Sequence, residues 1–210
     1  MGAGFLPVCV KNGKIMFLFG KERDRPNETA RGFADFGGGA EKGETTLDNV
    51  SREGAEELSG FLGDANKIRA LVQKKRKVVL NVEKYKYTTY IIPISYDKML
   101  PIYFNNQSKF LDTYYNQNLL HNTTMYEKKE IRWFSFSELK KKRFMFRNFY
   151  REMIDLILEN KRNVERLFGL QSIIVKNSKK IKRNNRKKTK KLNVTIKPSK
   201  KSTMKVFKLF

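Results

Sequence analysis

The residues best suited to chemistry in this sequence lie between Phe36 and Leu62, in FGGGAEKGETTLDNVSREGAEELSGFL. Three consecutive glycines, Gly37 to Gly39, open the stretch. Glu44 follows, and eight residues beyond it stands Arg52-Glu53-Gly54-Ala55-Glu56-Glu57. At 3.6 residues per turn, about 100° per residue, Glu53, Glu56 and Glu57 share one helix face within a single turn. Three carboxylates so placed repel one another unless positive charge compensates. A hard divalent cation would compensate them, and oxygen donors with few protein contacts suit magnesium bound to a substrate's phosphates. A solvated helix face is the ordinary reading of such acids. The glycines speak against it: a plain surface helix does not need them, whereas backbone that must approach a pyrophosphate does.

Positioning these groups takes a strand before the glycines and a helix after them. Phe33 to Phe36 reads as a short strand feeding the glycines. The helix runs from an N-cap at Thr45 or Thr46 to about Ser59, with Asp48 in its first turn and Leu47, Val50, Leu58 and Phe61 on its inner face. Upstream, Phe5–Lys11 and Ile15–Phe19 flank Asn12-Gly13 and read as a hairpin with a type I′ turn. Lys21 to Thr29, charged and containing Pro26, reads as a loop. Asn66–Gln73 predicts a second short helix. Lys77–Glu83 and Tyr85–Ser95 are strands by their Val, Ile, Thr and Tyr content, and Pro93 marks an edge position or a strand end. Asn105–His121 has helical spacing. Glu130–Phe134 is a last strand, followed by a capping box at Ser135 and Glu138. Arg147–Phe168 has helical periodicity through Phe149, Met153, Ile154, Leu156, Ile157, Val164 and Leu167, and closes the domain.

Length and composition bound the rest. A chain of 210 residues with 40% hydrophobic and 12% aromatic content holds one ordinary domain with a real core. The formal net charge of +24 is unevenly spread. No acidic residue follows Glu165, yet 16 of the 45 Lys and Arg lie beyond it, so the first 165 residues carry only +8. The stretch from Val175 to Lys191 is largely Lys, Arg, Asn, Ser and Thr, which cannot bury a core and should be disordered alone. The single cysteine, Cys9, excludes an intramolecular disulfide and reads as a buried strand residue. With one histidine and one cysteine, zinc is implausible. No apolar run approaches the ~20 residues that span a membrane, and no signal-peptide pattern is present, so an intracellular, cytoplasmic soluble protein without a membrane partner is expected.

The acid-bearing stretch resembles the Nudix box, Gly-x5-Glu-x7-Arg-Glu-U-x-Glu-Glu-x-Gly-U, in which U is a bulky aliphatic residue. Gly38, Glu44, Arg52, Glu53, Glu56 and Glu57 stand at its spacings. Two positions depart from it. Gly54 takes the first U, where a mid-helix glycine costs roughly 1 kcal/mol against alanine, and Leu58-Ser59-Gly60-Phe61 sets the later glycine one residue late. Both concern helix packing and the C-cap rather than the acids. The resemblance implies an α/β (α+β) fold, the Nudix α/β/α sandwich with a mixed central sheet, over residues 1–168, ahead of the disordered basic C-terminal tail, 169–210. It implies hydrolysis of a diphosphate linked to another moiety, with Mg²⁺ or Mn²⁺ as cofactor. Glu53, Glu56 and Glu57 would be the metal ligands, joined by the carbonyl of Gly37 or Gly38, with one glutamate able to act as base for the attacking water. Arg52 would neutralise and orient the glutamates, and Glu44 would hold Arg52. Some family members recruit an acid from outside the box, and Glu127 and Glu130 are the candidates here.

The run KKIKRNNRKKTKK has no use in clearing a free nucleotide. A segment that neutralises several phosphates releases counterions and binds nucleic acid with steep salt dependence. Its basic residues include Lys179, Lys180, Lys182, Arg183, Arg186, Lys187 and Lys188; a nuclear-localisation signal or a solubilising tail is the alternative. Lys74, Lys75 and Arg76, and Lys140, Lys141 and Lys142, add basic patches inside the domain. This combination points to a diphosphate on a polynucleotide, such as a 5′ cap, and is similar to the decapping branch of Nudix hydrolases, including those of large cytoplasmic DNA viruses. Three readings stand: a decapping enzyme that releases methylated guanosine diphosphate from capped RNA; a hydrolase of another diphosphate-containing substrate, either free nucleotides or diphosphoinositol polyphosphates; and an RNA-binding module with a disused site, against which the intact acids count.

Overall fold

Asn12 and Gly13 both take left-handed φ, 49° and 72°, the pair that a type I′ turn requires and that suits the twist of two antiparallel strands. The turn joins β1 (Gly2–Lys11) to β2 (Lys14–Glu22), both longer than the sequence expectation. The computed structural model describes residues 1–23, 31–121, 123 and 126–170. The rest of the loop expected after β2, and the basic tail with Lys179, Lys180, Lys182, Arg183, Arg186, Lys187 and Lys188, lie outside the described residues. One compact unit spans Met1–Gly169.

The strand expected at Phe33–Phe36 is two strands. β3 (Phe33–Ala34) pairs with β2, and β4 (Phe36–Gly39) pairs with β1. The three glycines therefore lie within a strand rather than after one. Then come α1 (Thr46–Glu57), α2 (Ala65–Lys74), β5 (Val78–Val82), β6 (Tyr87–Pro93), α3 (Leu100–Tyr114), α4 (Gln117–His121), β7 (Lys128–Ser135), α5 (Phe136–Lys141), α6 (Tyr150–Glu159) and α7 (Lys161–Leu167). β1 and β6 run parallel and the other pairs antiparallel, so the seven-stranded sheet is mixed. β1 pairs with β2 over Val8–Lys11 but with β4 over Gly2–Phe5. The two hairpin strands thus part company, and β3 and β4 fill the fork between them. Pro93 ends β6, which lies between β1 and β5; it is a strand end, not an edge.

Helices cover both faces. On one, Ala3, Phe5, Leu18, Ile92 and Ile131 meet Val50 of α1 and Leu58 at its C-cap, Ile68 and Val72 of α2, and Leu100 and Phe104 of α3. On the other, Phe19 meets Phe134, Phe146 and Tyr150 edge-on at 4.9–6.1 Å, a geometry that aromatic quadrupoles favour. Met153, Ile154 and Ile157 of α6 and Val164 of α7 are buried. Cys9 is buried in β1. Among the described residues no helix is long and apolar enough to cross a membrane.

Both departures in the box stretch have a packing reason. A Cβ on Gly54 would lie 3.0 Å from the Cβ of Phe5 and 3.2 Å from Ile68, so the glycine lets α1 settle closely on β1 and α2. Beyond the helix, the Ser59 N–H donates to the Glu56 carbonyl and the Gly60 N–H to the Ala55 carbonyl, with φ of 50° and 72°. This is a Schellman closure, with Ser59 holding the first left-handed position and Gly60 the second. The helix expected over 147–168 is broken at Asn160, whose side chain donates to the Leu156 carbonyl at 3.0 Å and so offers the backbone a local alternative. Arg147 precedes α6 rather than lying in it.

Candidate functional site

Helix α1 is fixed at its start by a capping box. The Asp48 N–H donates to Thr45 Oγ1 and the Thr45 N–H donates to the Asp48 carboxylate, which satisfies two of the donors that a helix start leaves open. From the next turn, Asn49 Nδ2 donates to the Gly39 carbonyl at 2.9 Å, tying the helix to the end of β4. The acids of α1 consequently face the glycines of β4 across a cleft of about 250 Å³. Gly37, Gly38, Gly39, Arg52, Glu53, Glu56 and Glu57 all line it, together with Glu127 and Arg147.

Arg52 is the hub of the outer part. Its Nε and NH2 fork onto the Glu44 carboxylate at 2.8 and 3.2 Å, NH1 donates to Glu56 at 3.1 Å, and NH2 donates to Glu53 at 3.0 Å and to the Gly39 carbonyl at 3.2 Å. Such bidentate, charge-assisted contacts are the strong ones. The hydrogen bond from Arg52 holds the Glu44 carboxyl below its ordinary range, and the same bond raises the Arg52 guanidinium. Glu53 is raised: its burial outweighs the pull of Arg52. Three carboxylates therefore share one guanidinium at the rim of a concave site.

The inner part was not legible in the sequence. Glu57 is buried, and both of its carboxylate oxygens have protein partners: the Gly37 N–H donates to Oε2 at 2.6 Å and Lys128 Nζ lies 3.0 Å from Oε1. Lys128 is itself fully buried and also pairs with Glu22, and Glu22 takes a second bond from Arg147 NH1 at 2.8 Å. The result is a line of alternating charge, Arg147, Glu22, Lys128, Glu57. Burial drives the Glu57 carboxyl well above the ordinary carboxylate range against the pull of Lys128, and the like charge of Glu22 adds to the rise. Burial works to lower Lys128, but Glu57 and Glu22 outweigh it and keep the ammonium raised.

Behind the glycines, Asp35 is wholly buried. It accepts from the Tyr87 hydroxyl at 2.8 Å and from Thr89 Oγ1 at 2.7 Å. Burial pushes its carboxyl up to about 6, against the hydrogen bonds from Thr89 and Tyr87. The glycines answer to this packing. A Cβ on Gly37 would lie 2.4 Å from the Tyr87 hydroxyl and 2.3 Å from Gly4 Cα, and one on Gly38 would lie 2.6 Å from Glu53 Oε1; only Gly39 faces open space. Close approach within the protein thus explains two of the three.

Of the candidate acids outside the box stretch, Glu127 lines the cleft, and its carboxylate comes within 4.8 Å of those of Glu22 and Glu57. Glu130 is paired with Lys21 inside the β2–β7 ladder and does not line the cleft. Lys74, Lys75 and Arg76 are exposed at the end of α2, and Lys140 and Lys141 are exposed on α5, with Lys142 bonded to Glu138 at 3.0 Å. The sequence reading missed Arg147, which lines the cleft, and Glu22 and Lys128, which are buried behind Glu57. Lys128 stands in a Lys-Lys-Glu run that reads as a solvated face, and no local signal marks the other two.

No family model matches the sequence, and no curated protein matches it. Among solved structures the chain is similar to a C. elegans Ap4A hydrolase in a binary complex, at 14% identity and a TM-score of 0.48, over 78% of this chain and 98% of that one. It is similar to RenU, a Nudix hydrolase from M. smegmatis, at 15% identity and a TM-score of 0.44, over 78% and 86% of the two chains. The Nudix domain of Shewanella oneidensis NrtR, complexed with ADP ribose, matches at 12% identity and a TM-score of 0.39, over 77% and 85%. Likeness at this level bears on neither substrate nor site residues.

Proposed function

We propose that the cleft hydrolyses a diphosphate in the manner of a Nudix hydrolase, and that its substrate is the 5′ cap of an RNA. The observation that carries the reading is the cleft itself, where Glu44, Glu53 and Glu56 share Arg52 opposite glycine backbone. Carboxylate and carbonyl oxygens make up its donors, a set that suits a hard divalent cation, and the excess of carboxylates over cations at the rim leaves charge for such an ion to neutralise. Glu53, Glu56 and Glu57, with Glu127 and a carbonyl of Gly37 or Gly38, would hold Mg²⁺ or Mn²⁺. When bound, the ion supplies neutralisation of the phosphates and activation of water.

The protein's own groups do the rest. Arg52 holds Glu53 and Glu56 in a fixed orientation. One cleft carboxylate accepts a proton from the attacking water as the new P–O bond forms. The bridging P–O bond on the far side of the same phosphorus then breaks, and its electron pair leaves with the departing phosphate oxygen. Cleavage between the first and second phosphates from the RNA would release methylated guanosine diphosphate and RNA bearing a 5′ monophosphate. The polynucleotide reading is supported by the net charge of +24 and by the exposed lysines at the end of α2 and on α5, since Lys and Arg that meet phosphates supply sequence-independent affinity.

Cap-labelled RNA and a panel of free nucleotides and diphosphoinositol polyphosphates, each incubated with Mg²⁺ or Mn²⁺ beside Glu57→Gln, decide the matter. Release of methylated guanosine diphosphate by the wild type alone is the expected result. Turnover of the small substrates with capped RNA untouched would sink the decapping reading. In a chain cut after residue 170, capped-RNA turnover should weaken and its salt dependence flatten, with small-substrate turnover unchanged.

A further inference from the structure

The cleft is rich in carboxylates, yet a diphosphate entering it carries negative charge of its own, so donors must be found for the phosphate oxygens. Among the described residues, three cations stand in or beside the cleft. Arg52 has all three nitrogens engaged by Glu44, Glu53, Glu56 and the Gly39 carbonyl. Lys128 is fully buried between Glu57 and Glu22. Arg147 differs from both. Its side chain keeps 24% of its surface exposed, and only NH1 is engaged, by Glu22; neither Nε nor NH2 has an acceptor among the described residues. A guanidinium carries five N–H donors in a rigid fork; Nε is buried, and the donors left for a ligand are those of NH2 and the second N–H of NH1.

The group is also held in place. Its Cζ lies over the Phe149 ring, 5.0 Å from the centroid, and its backbone N–H donates to the Phe33 carbonyl at 3.1 Å. Gly32, at φ 124°, lets the chain pass at that point: a Cβ there would lie 2.8 Å from Arg147 N and from the Met145 carbonyl. A cation so fixed binds an oxyanion without first losing side-chain freedom.

We propose that Arg147 grips a phosphate of the substrate's diphosphate, an assignment that rests on the hydrolase reading above. The guanidinium fork matches phosphate oxygens and an ammonium does not. The test uses the full chain and two variants, Arg147→Ala and Arg147→Lys. GDP affinity is measured by calorimetry, kcat and KM on a diphosphate substrate by turnover, and Mn²⁺ affinity without nucleotide by electron paramagnetic resonance. Loss of the contact should weaken GDP binding and kcat/KM by roughly 10- to 150-fold in Arg147→Ala, and most of that loss should persist in Arg147→Lys. Mn²⁺ affinity should stay within about twofold in Arg147→Lys, which keeps a cation on Glu22.

GDP affinity that holds within about twofold in both variants would overturn the assignment. So would Mn²⁺ affinity that falls in step with GDP affinity, which would make Arg147 a positioning residue for Glu22. A wild type that binds no GDP overturns it as well. A wild type that binds GDP but hydrolyses no diphosphate would sink the hydrolase reading instead, and the GDP arm would still decide the role of Arg147.

Discussion

Alanine at each of Gly37, Gly38 and Gly39 should give three different results. At Gly38 the new Cβ would sit 2.6 Å from Glu53 Oε1, the far end of a side chain, so the carboxylate must retreat to the 3.4 Å where ordinary contact begins, about 0.8 Å. That motion breaks or bends the 3.0 Å bond from Arg52 NH2 but touches no backbone. A misplacement of about 1 Å in a reacting group costs on the order of 10²-fold in rate. Gly38→Ala should therefore lower turnover roughly 30- to 100-fold, about 2–3 kcal/mol in the barrier, with stability changed by less than about 1 kcal/mol. At Gly37 the Cβ would meet Gly4 Cα at 2.3 Å and the Ala3 carbonyl at 2.4 Å, atoms of the paired strand that cannot swing aside. Gly37→Ala should lose about 1–3 kcal/mol of stability or more. Gly39→Ala meets nothing within 4 Å and should be neutral or gain up to about 1 kcal/mol in the strand. Urea unfolding and Mg²⁺-dependent diphosphate hydrolysis, run on all three, separate the cases. Full turnover in a folded Gly38→Ala protein would refute the link between this glycine and the placement of Glu53.

Removing Lys128 leaves buried Glu57 without a cation and Glu22 with Arg147 alone, so Lys128→Met should cost about 3–5 kcal/mol, read as a lower urea midpoint; a loss under about 1 kcal/mol would show that Glu57 and Glu22 do not depend on it. Asp35 is raised from 3.8 to about 6 in the folded chain, so between those values the native state binds the extra proton and its contribution to stability is lost as pH rises. Comparing Asp35→Asn with wild type across pH 3.8 to 6 should expose a wild-type decline of up to about 3 kcal/mol that the variant lacks, and parallel curves would mean that Asp35 is ionised throughout.

Much of the frame could be read from local pattern. Asn12-Gly13 specifies its turn by two left-handed residues, Thr45 with Asp48 and Ser135 with Glu138 cap their helices within four residues, and the α6 periodicity marks a real helix; the run expected over Asn105–His121 instead begins at Leu100 and is split into α3, ending at Tyr114, and α4, starting at Gln117. Expectations failed where packing overrode pattern. Gly54 looked like a flaw in a helix and is the contact point of α1 with Phe5 and Ile68. The run over 147–168 looked continuous and is broken where Asn160 bonds back to Leu156. Glu130 stood near the right place in sequence, but it is taken up in the β2–β7 ladder, and its neighbour Glu127 reaches the cleft.

The sequence by itself determined the outer half of the site. Arg52, Glu53 and Glu56 come together at the rim because the helical repeat is a local property, readable from spacing alone, which also puts Glu57 on their face but not its burial against Lys128, and the net charge of +24 needs no fold at all. Only the tertiary structure decided the inner half. The β2–β7 ladder shifts register between Lys21 and Glu22, so that Glu22 meets Lys128 rather than Lys129, and such a bulge re-aims side chains in a way that no run of residues announces. Glu22 then lies against Lys128, 106 positions away, and against Arg147, 125 positions away. Contacts over such separations depend on strand register and on how β1 and β2 diverge to admit β3 and β4, and these are settled by the packing of the whole sheet.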